Sequence, residues 1–151
     1  MEKLQNWLKQ NGYDEIKVHL DENGFFFDII AKDIGLGIYA EEDTDAYFAE
    51  FLRNNGCEYV DYVPAPVLAF LHELGHYHTI YDFEEAELIF YAFIKEAIDA
   101  DNHMTEKEKA FAYWESPDEL DANIWEIKYI MNDDNADAIG DLIDCFKEIY
   151  K

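Results

Sequence analysis

Apolar side chains along this chain follow two different periods, and the change between them constrains the fold more than any other feature. Between residues 16 and 40 they alternate or form short blocks: Ile16, Val18 and Leu20, then Phe25 to Ala31, then Ile34 to Ala40. That is strand patterning. Asp21-Glu22-Asn23-Gly24 is a hairpin signal. Three strands in succession with short connections predict an antiparallel meander. A short helix precedes them, with Leu4, Trp7 and Leu8 at helical spacing and Asn11-Gly12 as its stop.

From Thr44 onwards the spacing is helical throughout. Thr44 is positioned to cap a helix carrying Ala46, Tyr47, Phe48, Phe51 and Leu52, which Asn54-Asn55-Gly56 ends. Pro66 suits the first turn of the next, which runs to about His78. Two more are predicted from about Asp82 to Ala100 and from Thr105 to Trp114. Ser116-Pro117 opens another, with Glu119 at capping-box spacing, and a last one ends at Tyr150. The expected class is α+β: a small antiparallel sheet, then a mostly helical C-terminal half. The expected organisation is one domain over 1–151, with helix and meander in 1–45 and the helical part in 46–151.

The chain has 151 residues, half of them hydrophobic, with 11 Tyr, 11 Phe and 3 Trp. That is enough to bury a core. It carries 35 acidic residues against 11 Lys plus Arg, a net charge of −24. Such a field repels phosphate backbones and anionic lipid, so neither nucleic acid nor membrane is an expected partner. A basic protein partner, mimicry of a nucleic acid, or plain solubility remain. No apolar run has the length of a membrane span or the form of a signal peptide, and Cys57 and Cys145 fit no disulfide framework or CxxC site. The expected location is the cytoplasm, with both thiols reduced.

His72-Glu73-Leu74-Gly75-His76 is an HExxH motif on the helix that begins at Pro66. Side chains four apart share one helix face, so both imidazoles can reach one ion. Zn²⁺ accepts such nitrogen ligands and keeps a position for water, and Glu73 can serve as general base on that water. A catalytic site needs a third ligand. Asp82 follows His76 at the distance seen in HExxHxxGxxH proteins, but Thr79 stands where that class needs a glycine turn, and Asp82 also reads as a helix cap. Glu119 is the stronger candidate. It shares a face with Asn123, which can fix a ligating imidazole from behind, while small Ala122 lets two helices approach closely. Read otherwise, Glu119 is only the capping-box partner of Ser116.

HELGH followed by Glu119-Leu120-Asp121-Ala122-Asn123 resembles the gluzincin metallopeptidases, and in particular the ImmA/IrrE family with its HExxH and E-x-x-A-N-x-F-A pattern. The resemblance implies His72, His76 and Glu119 as zinc ligands, Glu73 as catalytic base, and Asn123 as the residue one turn on. It implies a small sheet packed on the HExxH helix, and cleavage of repressor proteins in mobile elements or stress responses. Trp125 and Glu126 stand where that family has F-A, and two extra helices separate His76 from Glu119.

The expectation is therefore a zinc-dependent metallopeptidase acting on a protein or peptide. The rival is an acidic binding protein or nucleic-acid mimic with a structural or vestigial zinc helix. Among other residues, His78 reads as a helix-end histidine or an oxyanion stabiliser, His103 as a loop histidine or carbonyl polariser, and His19 as an outward strand residue. Tyr77, Tyr81 and Tyr113 are oxyanion-donor candidates. Glu41-Glu42-Asp43 and Asp133-Asp134 read as solvated turns, not calcium loops.

Overall fold

The computed structural model describes residues 1–37 and 42–150, without the side chains of 42 and 43. Helix α1 (Glu2–Gln10) leads into β1 (Lys17–Asp21), β2 (Phe26–Asp28) and β3 (Asp33–Gly37). Then come α2 (Glu42–Asn54), α3 (Ala65–Thr79), α4 (Glu85–Asp99), α5 (Glu106–Trp114), α6 (Pro117–Met131) and α7 (Ala136–Ile149). Short 3₁₀ turns lie at Val60–Tyr62, Ile80–Asp82 and Asp133–Asn135. The α+β class and the order of strands before helices agree with the sequence.

The sheet is not the expected meander. Its order is β1-β3-β2, with β3 parallel to β1 (Val18 opposite Ile34) and antiparallel to β2 (Phe27 opposite Ile34). The turn after Asp21 therefore reverses the chain without pairing β1 to β2. Two local features explain the exchange. Asp28 Oδ1 accepts from the backbone N–H groups of Ile30 and Ala31, both at 2.9 Å, and Lys32 takes a φ of 54°. This tight turn ends β2 at Asp28, short of the expected Ala31, and folds β3 straight back. The second feature is burial. Ile34 and Leu36 are fully buried, and Gly35 leaves room for the Phe26 ring, which would lie 2.2 Å from an added Cβ. A strand covered on both faces belongs in the middle of a sheet.

Other boundaries differ slightly. Helix α2 begins at Glu42, so Thr44 lies inside it and does not cap it. Ile38 to Ala40 of the expected third strand, and Glu41, fall outside the described residues. Helix α4 starts at Glu85, capped by Glu84 with Glu87 in a reciprocal box, so Asp82 is not its cap. Ser116 occupies the N-cap position of α6, yet its side chain caps nothing and turns to the Ala112 carbonyl.

Helix α3 is the centre of the molecule. It is buried at Val67 and Leu68 and at every position from Phe70 to His76, beyond what one amphipathic face would bury. It packs on β2 and β3, on α2, on α7, and most extensively on α6. One continuous core joins Leu4 and Leu8 of α1, Ile34 of β3, Phe51 of α2, Leu74 of α3 and Phe146 of α7. Trp7 ties the N-terminus to α7 by donating to the Ala138 carbonyl at 2.8 Å.

The α3–α6 crossing is unusually close. A Cβ on Gly75 would stand 2.5 Å from the Ala122 carbonyl oxygen, and that atom is backbone that no rotamer change can move aside. Gly75→Ala should therefore push the helices apart and cost about 1–3 kcal/mol. Denaturant unfolding of the variant against wild type measures this, and an unchanged midpoint would mean the helices have slack.

Candidate metal centre

The HExxH turn of α3 presents two imidazoles to α6. His72 and His76 are 7% and 8% exposed, with ring centroids 4.7 Å apart. Across the crossing stands Glu119, 4% exposed, in the first turn of α6. His72 Nε2 lies 3.4 Å from Glu119 Oε1, and His76 Nε2 lies 3.2 Å from Oε1 and 2.9 Å from Oε2. One ligand atom from each residue falls within 4.8 Å of the others. Two imidazole nitrogens and one carboxylate, buried and convergent, can hold a metal ion. Glu119 thus faces the histidines and not the helix cap. Its side chain is buried at the crossing, and Ser116 makes no side-chain cap bond.

Asn123 sets the chemistry of His72. Its Nδ2 donates to the Trp114 carbonyl at 3.2 Å, which fixes the amide with Oδ1 towards His72 Nδ1 at 2.7 Å. An amide oxygen only accepts, so Nδ1 must carry the proton. In the neutral ring the Nε2 lone pair is then free and aimed at the centre, as a ligating histidine requires. Phe48 supports the same ring edge-on at 5.6 Å. His76 has no such support; its Nδ1 is buried without a partner.

Glu119 lies within hydrogen-bond distance of both rings. Burial works against charge on His72, but the Glu119 hydrogen bond and charge outweigh it and raise its pKa to about 10. Burial also opposes ionisation of Glu119, yet the two histidines hold its carboxyl well below the usual range. Glu73, beside His72, is 8% exposed, and burial pushes its pKa up. It lines a cavity of about 410 Å³ together with His72, Glu119, Tyr113, Phe48 and Gly24. A larger hollow of about 860 Å³, holding Lys95 and Lys109, adjoins it through Thr44, Tyr113 and Trp114.

The remaining candidates separate clearly. Asp82 is exposed at the end of its 3₁₀ turn and takes no part in the ligand group. Tyr77 bonds Glu15, and Tyr81 donates to the Ile29 carbonyl at 2.9 Å, so both face away from the cavity. Tyr113 alone of the three tyrosines lines it, with its phenol pKa raised by burial and by Glu119. His78 bonds Tyr13 at 2.7 Å and stacks on Trp125 at 4.4 Å, a helix-end structural role. His103 sits in an exposed loop, and His19 lies on β1 beside Asp21 and Asp33. Asp133 and Asp134 form a 3₁₀ turn, while the side chains of Glu41, Glu42 and Asp43 are outside the described residues. Cys57 and Cys145 are buried free thiols.

Three residues at the centre were not singled out from the sequence as site residues. Lys95 of α4 lies 2.6 Å from Asp118 Oδ2 and 3.4 Å from Glu119 Oε2, with its ammonium 5.2 Å from the Tyr113 ring centroid. The one hint was that the apolar run from Leu88 to Ile98 carries Lys95 and Glu96. Asp118, 6% exposed, reads as an ordinary first-turn acid. Glu126 is fully buried with neither carboxylate oxygen partnered, and burial raises its pKa far above the usual carboxyl value. It lies two turns after Glu119, at the Ala position of the ImmA/IrrE pattern.

No family model, characterised protein or solved structure matches the chain. No helix is long and apolar enough to cross a membrane among the described residues.

A ligating imidazole must be free of a proton on Nε2, so metal uptake would compete with protonation of His72, whose pKa Glu119 raises. The raised pKa sets the sign: protons compete below about 10, so apparent affinity should rise with pH, by about tenfold per unit. Calorimetry in buffers of different ionisation enthalpy between pH 6 and 8 counts the proton. Asn123→Ala should weaken metal binding about 10–100-fold by freeing the His72 ring, read by chelator competition.

Proposed function

We propose that this chain is a zinc-dependent metallopeptidase of gluzincin type, with His72, His76 and Glu119 as ligands and Glu73 as general base. The observation that carries the reading is the meeting of Glu119 with both imidazoles across the α3–α6 crossing. The donor set favours zinc, since two imidazoles and one carboxylate with an open side suit its preference for nitrogen ligands and a vacant fourth position. Asn123 behind His72 supports the likeness to the E-x-x-A-N pattern.

The bound ion would acidify water and polarise the substrate carbonyl. The chain's own groups account for the rest. Glu73 is held at the cavity wall in surroundings that raise its proton affinity, so it can take a proton from water and return it to the leaving amine. Tyr113 keeps its phenol proton, because burial and the neighbouring carboxylates oppose its loss, and can donate it to an oxyanion in the cavity. Lys95 offsets negative charge at Glu119 and Asp118 from the α4 side. The cavity at the centre and the larger hollow that adjoins it give an extended peptide room to bind.

The acidic-binder reading gains less support. Exposed carboxylates stand on α1, α4, α5, α6 and α7 alike, at Glu2, Glu96, Glu108, Asp121 and Asp141, which fits solvation of the surface generally.

Glu73→Gln keeps the shape of the side chain and removes the base. It should retain one zinc per chain by metal analysis and lose at least about 10³-fold in peptide hydrolysis. His72→Ala with His76→Ala should lose the metal. A wild-type protein that takes up no zinc, or a Glu73→Gln variant as active as wild type, overturns the reading.

A further inference from the structure

Helix α4 is apolar on two opposite sides, and only one of them is used. At 100° per residue, Leu88, Tyr91, Ile94, Lys95 and Ile98 share the inner side, half-buried against α5 and α6. Ala86, Ile89, Phe90, Phe93 and Ala97 form a second stripe on the outer side. Ile89 is 51% exposed, Phe90 61% and Phe93 64%, and α4 contributes no fully buried residue. A helix apolar all round is normally covered all round, and a contiguous exposed patch of this kind marks an interaction site.

Charge says what covers it. By the same wheel, Glu85 and Glu96 flank one margin of the stripe, while Glu87 is turned to the inner side, accepting from the Glu84 backbone N–H and from Tyr91. Lys95, the one cation of α4, is turned inward onto Asp118 and Glu119 and is 18% exposed. The outer surface of α4 is therefore apolar in the middle and negative along the Glu85–Glu96 margin. A second copy would bring the same carboxylates against these, on a chain of net charge −24, and anionic lipid would be repelled likewise. The complement is a helix with apolar residues at i, i+3, i+4 and i+7 and Lys or Arg beside them, docked helix against helix.

We propose that the outer face of α4 is a docking surface for a basic amphipathic helix of a partner protein. The inference uses none of the ligand residues and stands whether or not the metal centre is catalytic.

A labelled synthetic helix of about four turns, with leucine along one face and lysine on the others, is the probe. Fluorescence anisotropy should show binding to wild type that weakens with salt. Phe90→Ser with Phe93→Ser should weaken it at least about tenfold while leaving net charge unchanged. Both residues are mostly exposed, so circular dichroism and metal content should match wild type. Reversal of Glu85 and Glu96 to Lys, which leaves the Glu84–Glu87 cap intact, should switch preference to a leucine–glutamate helix of the same spacing. Equal binding of a sequence-scrambled lysine–leucine peptide, or undiminished binding by the double serine variant, would make the attraction general electrostatics and overturn the proposal. So would a wild-type dimer by sedimentation that the serine variant abolishes, or phosphatidylcholine vesicle binding lost in that variant, since those outcomes assign the stripe to a second copy or to lipid.

Discussion

Helices α3 and α6 cross with backbone against backbone, and the positions of the central side chains follow from that contact. Gly75 supplies no Cβ and Ala122 only a methyl, so the axes come close enough for a short carboxylate to span between them. Had either position carried a larger side chain, Glu119 would stand away from the imidazoles and Asn123 away from His72. The two residues between the histidines and the glutamate ligand face are thus as much a part of the site as the donors. The xx of this HExxH segment is not free: Leu74 is fully buried in the core and Gly75 sets the approach.

The electrostatics of the centre follow from the same packing. Glu73, Asp118, Glu119 and Glu126 are all nearly buried, with His72, His76 and Lys95 facing them. Four carboxyls so close cannot all ionise without compensation in a low-dielectric interior. They separate instead: the histidines lower the pKa of Glu119, while burial raises those of Glu126 and Glu73. Environments that drive like groups apart in this way are a common property of functional centres and also occur in structural ion-pair networks.

Much of this was legible in the sequence, for identifiable reasons. Helices announce themselves by a long period and by punctuation such as Pro66, Ser116-Pro117 and Asn54-Asn55-Gly56, and each lay close to its expected place. The meeting of His72, His76 and Glu119 was legible because four-residue spacing fixes geometry within one helix and because Glu119 and Asn123 repeat that spacing on another. Strand order was not legible. Pairing depends on which strand is covered on both faces, and the exchange of β2 and β3 rests on the Asp28 turn and on room for Phe26 over Gly35. Lys95 and Asp118 were missed because their proximity arises from the packing of α4 on α6, which leaves no periodic trace. Glu126 was noticed as a departure from a pattern, but nothing local indicated that a carboxyl would be enclosed without a partner.

Helices α4 and α5 form an excursion inserted in the chain between the second histidine and the glutamate. Since α3 and α6 grip each other directly, the excursion is not what holds those three side chains in register. It meets the centre through Lys95 and the wall around Tyr113, and its far side is free of that duty. On the roles proposed for the two sides, sequence drift on the far side would change what docks there while His72, His76 and Glu119 keep their places, so recognition and chemistry could evolve on separate clocks within one small fold.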